Sequence, residues 1–332
     1  MNRVERRTIE EIVTSACRAP SVHNSQPWQW TYDGEHLNLY ADWSRQVRHG
    51  DPDRRDLEIS CGAALHHAVV AASAAGFHTT VHRVPDPDDA RLLASISVRE
   101  TGRPPAAGAL AKAIYQRHTD RRTPSSTPVP ESCISQLVQV GADRGAFVVP
   151  IQGDDQTLVK DLRHLAVLLQ HDDDEYVAEL GQWTHALGDD GVPDTSVLAH
   201  DEEASRFSTE SRFPAGVLRD RQPTEADQAP TWMVVATSSD DSMSRVRAGE
   251  ALSAMLLHAT TLDLVIVPFT QAVEVDATRS RLEERFLGGG KCLQLILRVA
   301  VPPAVRPPVP MTRRRSIEDV LTVREPSDLG AS

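Results

Sequence analysis

The segment from Leu57 to Ala75 constrains the fold more than any other part of this chain. It is rich in alanine and apolar on nearly all sides, a pattern that predicts a helix buried inside the protein. A second helix is predicted over Glu250–Thr261, and the two helices contain similar runs of residues: Gly62-Ala63-Ala64-Leu65 and Gly249-Glu250-Ala251-Leu252. The runs lie 187 residues apart, and the same spacing aligns Ala72 with Ala259. This faint repeat suggests that the chain consists of two related halves.

Shorter helices and strands are predicted around these two helices. Trp28, Trp30 and Tyr32 alternate with polar residues and precede Asp33-Gly34, which predicts a β-hairpin. Thr8 and Glu11 are spaced as a capping box, which predicts the start of the first helix. Periodicity predicts further strands near residues 79–84, 95–98, 146–151, 232–237, 264–269 and 293–301, and further helices near 110–116, 131–140, 155–170 and 279–285.

Composition argues against several classes of function. The 332 residues carry 35 basic and 47 acidic side chains, and the formal charge of −12 opposes general binding to nucleic-acid phosphates. No stretch approaches the roughly 20 consecutive apolar residues of a membrane span, and the first residues lack the apolar run of a secretory signal. The four cysteines are scattered, without zinc-site or disulfide spacing. We therefore predict a cytoplasmic protein with no metal, no nucleic-acid partner and no membrane partner.

Residues 171–228 differ in kind from the rest of the chain. They are acidic, rich in Gly, Pro and Ser, and have few sustained apolar patterns. A long irregular insert of this sort is usually a functional lid or a disordered linker. Trp183, Phe207 and Phe213 give the insert side chains with which to pack, which favours a lid.

The most informative segment is Ala19-Pro20-Ser21-Val22-His23-Asn24-Ser25-Gln26-Pro27-Trp28. Pro20 ends the first helix and fixes the backbone, so Ser21 and Asn24 are expected to project from a rigid corner. Such a turn can offer an apolar wall together with hydrogen-bond partners, as a planar cofactor requires. The alternative is a helix end followed by a tryptophan-anchored strand, with no ligand.

This segment closely resembles the A-P-S-x-x-N-x-Q-P-W motif of the nitroreductase family. Arg117-His118-Thr119-Asp120-Arg121-Arg122 resembles the family's R-x-S/T-x-R/K element, whose basic side chains hold the FMN phosphate. Arginine suits that task because its planar fork makes paired, charge-assisted hydrogen bonds, although an arginine cluster alone is more often a solvated surface. Thr312–Val320 resembles the family's C-terminal basic element, and Val267–Gln271 resembles the loop that passes beside the flavin.

The motif order, the length and the insert resemble the Acg-like, single-chain branch of the family found in actinobacteria. The resemblance implies FMN as cofactor and an α+β, nitroreductase-like fold of mainly antiparallel sheets flanked by helices. It covers nearly the whole chain and is weakest over residues 84–110 and 195–227. Carried over position by position, it implies these cofactor-binding residues: Pro20, Ser21, Val22, Asn24, Gln26, Arg117, Thr119, Arg121, Thr270, Gln271, Arg313 and Arg314.

The order of the motifs predicts a fused pseudo-dimer. In usual members of the family the arginine element precedes the A-P-S corner within one repeat, and the flavin site takes its parts from two subunits. In this chain the corner lies near residue 20 and the arginine element about 100 residues later, so each half carries one part of a single site. We predict half-repeats over 1–105 and 106–332, the second including the lid-like insert 171–228, and a monomer because the usual partner is already fused.

The resemblance implies that hydride passes from NAD(P)H through FMN to a nitroaromatic or quinone acceptor. Since FMN carries such chemistry, the sequence requires no catalytic side chain, and none is predicted. An ordered, acidic insert would favour an alternative, a protein that holds FMN beneath a lid with little or no turnover.

Overall fold

A five-stranded, mainly antiparallel sheet and a four-stranded antiparallel sheet, each packed on a long buried helix, form the frame of this computed structural model. It describes residues 4–101, 107–153, 155–184, 187–199, 212–213, 216–220, 230–303 and 307–324. In chain order the helices are α1 (Arg6–Ala16), α2 (Arg55–Ala74), α3 (Ala107–Gln116), α4 (Glu131–Ala142), α5 (Asp155–His171), α6 (Asp174–Gln182), α7 (Ser242–Thr261), α8 (Gln271–Glu274), α9 (Asp276–Leu287) and α10 (Ile317–Val320). The strands are β1 (Trp28–Tyr32), β2 (His36–Ala41), β3 (Phe77–Arg83), β4 (Leu92–Glu100), β5 (Phe147–Ile151), β6 (Thr231–Thr237), β7 (Val265–Pro268), β8 (Cys292–Ala300) and β9 (Leu321–Val323).

The sequence patterns account for the first half. The predicted hairpin is formed by β1 and β2, and the alternation of β1 buries Trp28, Trp30 and Tyr32 on one face. The predicted capping box is absent. Helix α1 begins at Arg6 after Glu5, so Thr8 lies within the helix and does not cap it. The predicted insert also holds more regular structure than its composition suggested, because Asp173 accepts hydrogen bonds from the first turn of α6.

The two sheets have the same strand order. The first runs β3-β4-β2-β1 and the second β7-β8-β6-β5, with antiparallel pairing throughout both sets. In each half a helix, two strands, a long buried helix and two further strands follow in that order, and the insert lies between β5 and β6. The architecture is therefore α+β and duplicated, as the faint repeat suggested.

Helices α2 and α7 cross so closely that only glycine fits at the crossing. A Cβ atom on Gly62 would lie 2.1 Å from the carbonyl oxygen of Val246, and one on Gly249 would lie 2.0 Å from that of Ile59. Ile59 and Val246 are themselves 187 residues apart, so the contact has the reciprocal form of a twofold interface. Each of these two residues packs in the core of the other half: Val246 joins the hydrophobic cluster of the first half, and Ile59 joins that of the second.

Helix α2 also passes the length and hydropathy test for a membrane span, and it is the one helix in the described ranges that does. Of its apolar window, 78% is buried inside the protein. That burial is what a core helix between two halves requires.

The C-terminal strand links the halves a second time. After β8 the chain returns to the first sheet, where β9 pairs in parallel with β1 and aligns Leu321 with Trp30. The boundary between the half-repeats at residues 105 and 106 stays a prediction. Because β9 pairs with β1, the last strand of the chain belongs to the sheet of the first half.

Replacing Gly249 with alanine should destabilise the protein by about 3 kcal/mol or more, because the new methyl group would meet backbone atoms that cannot move aside. The free energy of unfolding can be measured by urea denaturation followed by tryptophan fluorescence. Gly181→Ala is the matched control, since Gly181 is exposed in α6 with open space around its Cβ position, and it should stabilise by up to about 1 kcal/mol. Equal unfolding midpoints for G249A and wild type would contradict the close crossing.

Two neutral histidines lie at the same helix pair. Ser253 Oγ lies 2.8 Å from Nδ1 of His66 and 2.8 Å from Nδ1 of His67. Both rings are buried, and burial lowers the pKa of His66 to about 3 and that of His67 well below its ordinary value. The unfolded chain therefore binds protons below about pH 6.5 that the folded chain does not bind, and stability is lost as the pH falls below that value.

The variant His66→Gln should remove one of these titrations. Relative to that of wild type, its free energy of unfolding should rise by about 2 kcal/mol between pH 7.5 and pH 5, since each pH unit below 6.5 costs the wild type about 1.4 kcal/mol of stability at this site. Urea denaturation of both proteins at the two pH values measures this difference, and the other titrating groups cancel in the comparison. A difference that does not change with pH would show that His66 is protonated in the folded protein.

Candidate functional site

Two cavities meet at the corner that follows α1. The larger has an empty volume of about 890 Å³ and the smaller about 640 Å³. The residues shared by the two walls are Pro20, Ser21, His23, Thr119 and Arg121. The corner of the first half and the arginine element of the second half therefore line one continuous cleft.

The corner itself holds an unusual backbone. His23, Asn24 and Gln26 have φ values of 47°, 55° and 50°, in the left-handed region that residues with a Cβ rarely adopt. Local hydrogen bonds fix this conformation: Gln26 N donates to Ser21 Oγ over 3.0 Å, and Val22 N donates over 3.0 Å to Ser60 Oγ on α2. Three departures of this kind within four residues, beside a cavity wall, are typical of a functional site.

Apolar side chains from both halves face each other across the larger cavity. Val22 and Ile59 come from the first half, and Leu252, Val267 and Leu295 come from the second. Polar residues stand at the edges of this space: Asp56, Ser60, Thr119, Arg121, Thr270 and Gln271. An apolar slot with a few polar groups at its rim suits a flat heteroaromatic ring.

The smaller cavity is strongly cationic. Arg18, Arg117, Arg121 and Arg314 line it, and its described lining contains no carboxylate. Arg117 Nε and Nη1 and Arg18 Nε are buried without a hydrogen-bond partner. Burial, with Arg18 adding to it, lowers the pKa of Arg117 to about 10, and burial with Arg117 and Arg18 lowers that of Arg314 to about 9. Buried guanidinium groups that repel one another and retain free N–H groups form a site for an anion.

The structure brings ten of the twelve predicted cofactor residues to this cleft. Pro20, Ser21, Thr119 and Arg121 line both cavities; Val22, Thr270 and Gln271 line the larger; and Asn24, Arg117 and Arg314 line the smaller. The side chain of Thr270 donates to Glu274 and that of Gln271 to Gln170, so these two residues present mainly backbone to the cavity.

Gln26 and Arg313 lie in neither wall. Gln26 is fully buried, where its amide donates to Asp189 O over 2.7 Å and accepts from Arg315 N over 2.9 Å. Arg313 is exposed and donates to Leu187 O over 3.3 Å. Its neighbour Arg314 turns the opposite way and donates to Cys17 O over 2.8 Å, as alternation along an extended segment requires.

The lining residues that the sequence reasoning missed include five charged or aromatic ones: Arg18, His23, Asp56, Arg212 and Phe213. Arg18 and His23 adjoin or belong to the A-P-S corner, so proximity to that motif was a usable signal. Asp56 lies in the first turn of the buried α2, where a carboxylate in an otherwise apolar helix was the signal available. Arg212 and Phe213 belong to the insert, whose path the sequence does not predict.

The insert covers the cleft in the described residues. Arg212 donates to Glu274, and its Nη1 atom lies 2.9 Å from His23 Nε2. The rings of Phe213 and His23 pack edge to face with their centroids 5.5 Å apart. The Arg121 guanidinium stacks on Phe213 at 4.9 Å and donates to Ser196 O over 3.0 Å. Trp183 packs beneath Arg45, whereas Phe207 lies outside the described residues.

The Glu179 carboxylate makes three of the contacts that attach the insert to the first half. The Glu179 carboxylate accepts hydrogen bonds from the backbone N–H groups of Arg48, His49 and Gly50. Asn24 Nδ2 adds a bond of 2.9 Å to Gly191 O, and Arg45 pairs with Asp190. These bonds hold the described part of the insert against the loop that leads into α2.

Two buried acidic residues, Asp51 and Asp56, lie at the start of α2, and Asp56 lines the larger cavity. Asp51 accepts from the backbone N–H groups of Asp56 and Leu57 over 3.1 Å and 2.8 Å, which caps α2. Burial raises the pKa of Asp51 to about 6. Burial, with Asp51 and Glu274 adding to it, raises the pKa of Asp56 well above its ordinary value. The smaller cavity is thus lined by arginines without a carboxylate, whereas the wall of the larger cavity includes the buried carboxyl group of Asp56.

Several curated proteins resemble the chain over almost its whole length. "Putative NAD(P)H nitroreductase Rv3131" of Mycobacterium tuberculosis H37Rv is 36% identical over 315 residues, which cover 95% of this chain and 91% of that protein. "Putative NAD(P)H nitroreductase acg" of the same strain is 34% identical over 319 residues, which cover 95% and 96% of the two chains. No protein-family model matches the chain.

Solved structures with a related arrangement include two nitroreductases. One, from Desulfitobacterium hafniense with bound FMN, covers 65% of this chain and 98% of its own, at 10% identity and a TM-score of 0.43. The other, described as FMN- and NADPH-dependent and from Sphingopyxis sp. strain HMH, covers 65% and 99%, at 14% identity and a TM-score of 0.44. On the strength of the curated relatives, which match it from end to end, the chain belongs to the nitroreductase family and is similar to its Acg proteins.

Proposed function

We propose that this chain binds FMN across the two joined cavities, with the phosphate in the smaller and the ring in the larger. The observation that carries the proposal is the cluster of Arg18, Arg117 and Arg314, which holds buried N–H groups without partners and no carboxylate. A dianionic phosphate would satisfy those donors and relieve the repulsion among the guanidinium groups. The curated relatives bear the name "Putative NAD(P)H nitroreductase", and this name supports the same assignment.

The larger cavity fits the ring of that cofactor. Its facing walls are apolar, and Thr119, Arg121 and the backbone of Thr270–Gln271 stand at its rim as hydrogen-bond partners. Arg121 is suited to stabilise negative charge on a reduced ring, because it is buried and lies close to Arg212 and Arg298 as well as to Asp120. Of the twelve residues predicted to bind the cofactor, we retain ten and leave out Gln26 and Arg313.

The reaction we propose is the NAD(P)H-dependent reduction of a nitroaromatic or quinone acceptor. Bound FMN supplies the ring that accepts hydride from a nicotinamide and passes it to the acceptor. The protein orients the reactants between Val22 and Leu252 and keeps water from the ring through Phe213, which is 6% exposed. We further propose that the chain acts as a cytoplasmic monomer without nucleic-acid or membrane partners, because its charge is −12 and both halves of the site lie in one polypeptide.

An absorption spectrum of the purified protein tests this function. Flavin bands should be present as isolated or after reconstitution with FMN, and they should bleach within seconds when NADPH or NADH is added anaerobically. Bands that persist with nicotinamide and bleach with dithionite would replace the reductase with a protein that holds FMN beneath its insert. A protein that binds no FMN would overturn the proposal altogether.

Arg117→Gln should weaken FMN binding by about 10- to 100-fold, because charge-assisted hydrogen bonds contribute about 1.5–3 kcal/mol each. Its affinity for riboflavin, which lacks the phosphate, should stay within about twofold of wild type. Both affinities can be measured from the quenching of flavin fluorescence on titration with apoprotein.

Arg313→Gln is the matched control for that measurement. Arg313 is the exposed neighbour of Arg314, and the structure places it outside both cavities, so this variant should bind FMN as wild type does. A loss in R313Q equal to that in R117Q would show that the sequence-based assignment of Arg313 was correct and that general surface charge attracts the cofactor. An equal loss of FMN and riboflavin affinity in R117Q would place the phosphate elsewhere.

A further inference from the structure

We propose that Asp56 is the proton donor for the acceptor that is reduced in the larger cavity. This inference rests on the proposed function, because it assigns a role at the same site. Asp56 lines the larger cavity from the first turn of α2, and its side chain is 6% exposed. Its Oδ2 atom is buried without a hydrogen-bond partner. A carboxylate oxygen in that position would leave a charge unsolvated, whereas a carboxylic acid at the wall would hold a proton at the surface of the reaction space.

The charges around Asp56 do not balance when it is ionised. The groups that act on it are Asp51 from the preceding loop, Arg55 from its own helix, Glu274 from α8 and Arg212 from the insert. Both arginines are engaged by other carboxylates: Arg212 pairs with Glu274, and Arg55 pairs with Asp240 at 3.2 Å. Asp51 and Asp56 are therefore left as two buried acids without a counter-charge of their own.

Hydrogen bonding decides which of the two acids holds the proton. The oxygens of Asp51 accept two backbone N–H bonds, an arrangement that favours its ionised form. Asp56 Oδ2 receives none, and the negative charge on Asp51 opposes a second charge beside it. The proton consequently lies on Asp56, in the way that carboxyl groups in different environments divide their roles elsewhere in proteins.

The proposed reaction needs one such proton. A quinone gains a hydride from the reduced cofactor and one proton from the Asp56 carboxyl, which gives the hydroquinone, the oxidised cofactor and an Asp56 carboxylate. Water then returns a proton to Asp56. Reduction of the cofactor by a nicotinamide requires hydride alone, so Asp56 should act in only one half of the catalytic cycle.

The test compares Asp56→Asn and Asp56→Glu with wild type in the full-length protein loaded with FMN. After anaerobic reduction by NADPH or, where NADPH does not react, by dithionite, the cofactor is reoxidised in a stopped-flow instrument with menadione. D56N should slow this step by about 10²-fold and abolish its dependence on pH, and D56E should restore most of the rate. Reoxidation by ferricyanide, which takes electrons without a proton, should stay within about twofold of wild type.

Asp53→Asn is the matched control. Asp53 lies exposed in the loop that precedes α2, outside the cavity, and its substitution makes the same chemical change as D56N. It should leave the menadione rate unchanged. Equal menadione rates in D56N and wild type, or an equal loss with menadione and ferricyanide in D56N, would overturn the assignment, because the first denies a role in proton transfer and the second indicates general damage to the site.

Infrared difference spectroscopy of the apoprotein gives a readout that does not depend on turnover. Wild type and D53N should show a protonated-carboxyl C=O band near neutral pH that D56N lacks. Absence of that band in wild type would overturn the assignment even where FMN binds and turns over. Its presence in a protein that binds no flavin would leave a protonated Asp56 but contradict the proposed function, so the two failures are distinguishable.

Discussion

The close crossing of α2 and α7 is the contact on which the rest of the molecule depends. Gly62 and Gly249 allow the backbones to touch, and Ile59 and Val246 enter each other's cores. The crossing fixes one half against the other, and through them the corner after α1 against the arginine element after α3. Since neither half contains both parts, the cleft exists only as long as the crossing holds.

The two cavities of the cleft differ in their charged groups. The smaller holds Arg18, Arg117 and Arg314 without a carboxylate, and the wall of the larger holds Asp56, whose neighbouring arginines pair with other carboxylates. Unbalanced buried charge is costly, and proteins retain it mainly where a ligand or a proton completes the balance. The two imbalances complement the two proposed tasks: holding an anionic group in the smaller cavity and releasing a proton in the larger.

The insert reaches both cavities. Ser196 accepts from Arg121, while Arg212 reaches Glu274 and His23. Glu179 anchors it to the loop that precedes α2. The described part of the insert thus contacts both halves of the chain at the cleft.

The sequence by itself determined the elements and most of the site. Apolar periodicity placed the buried helices and the strands, because side-chain burial follows the period of each element. The A-P-S corner and the arginine element supplied seven of the lining residues, and the loop Val267–Gln271 and the C-terminal basic element supplied three more, since their placement depends on local backbone shape and on charge. Only the tertiary structure decided that Arg314 turns inward and Arg313 outward, that Arg212 and Phe213 cover the cleft, and that Asp56 lies at its wall. Those facts depend on contacts between segments that lie up to nearly 190 residues apart in the sequence, and no local pattern in the chain encodes such long-range packing.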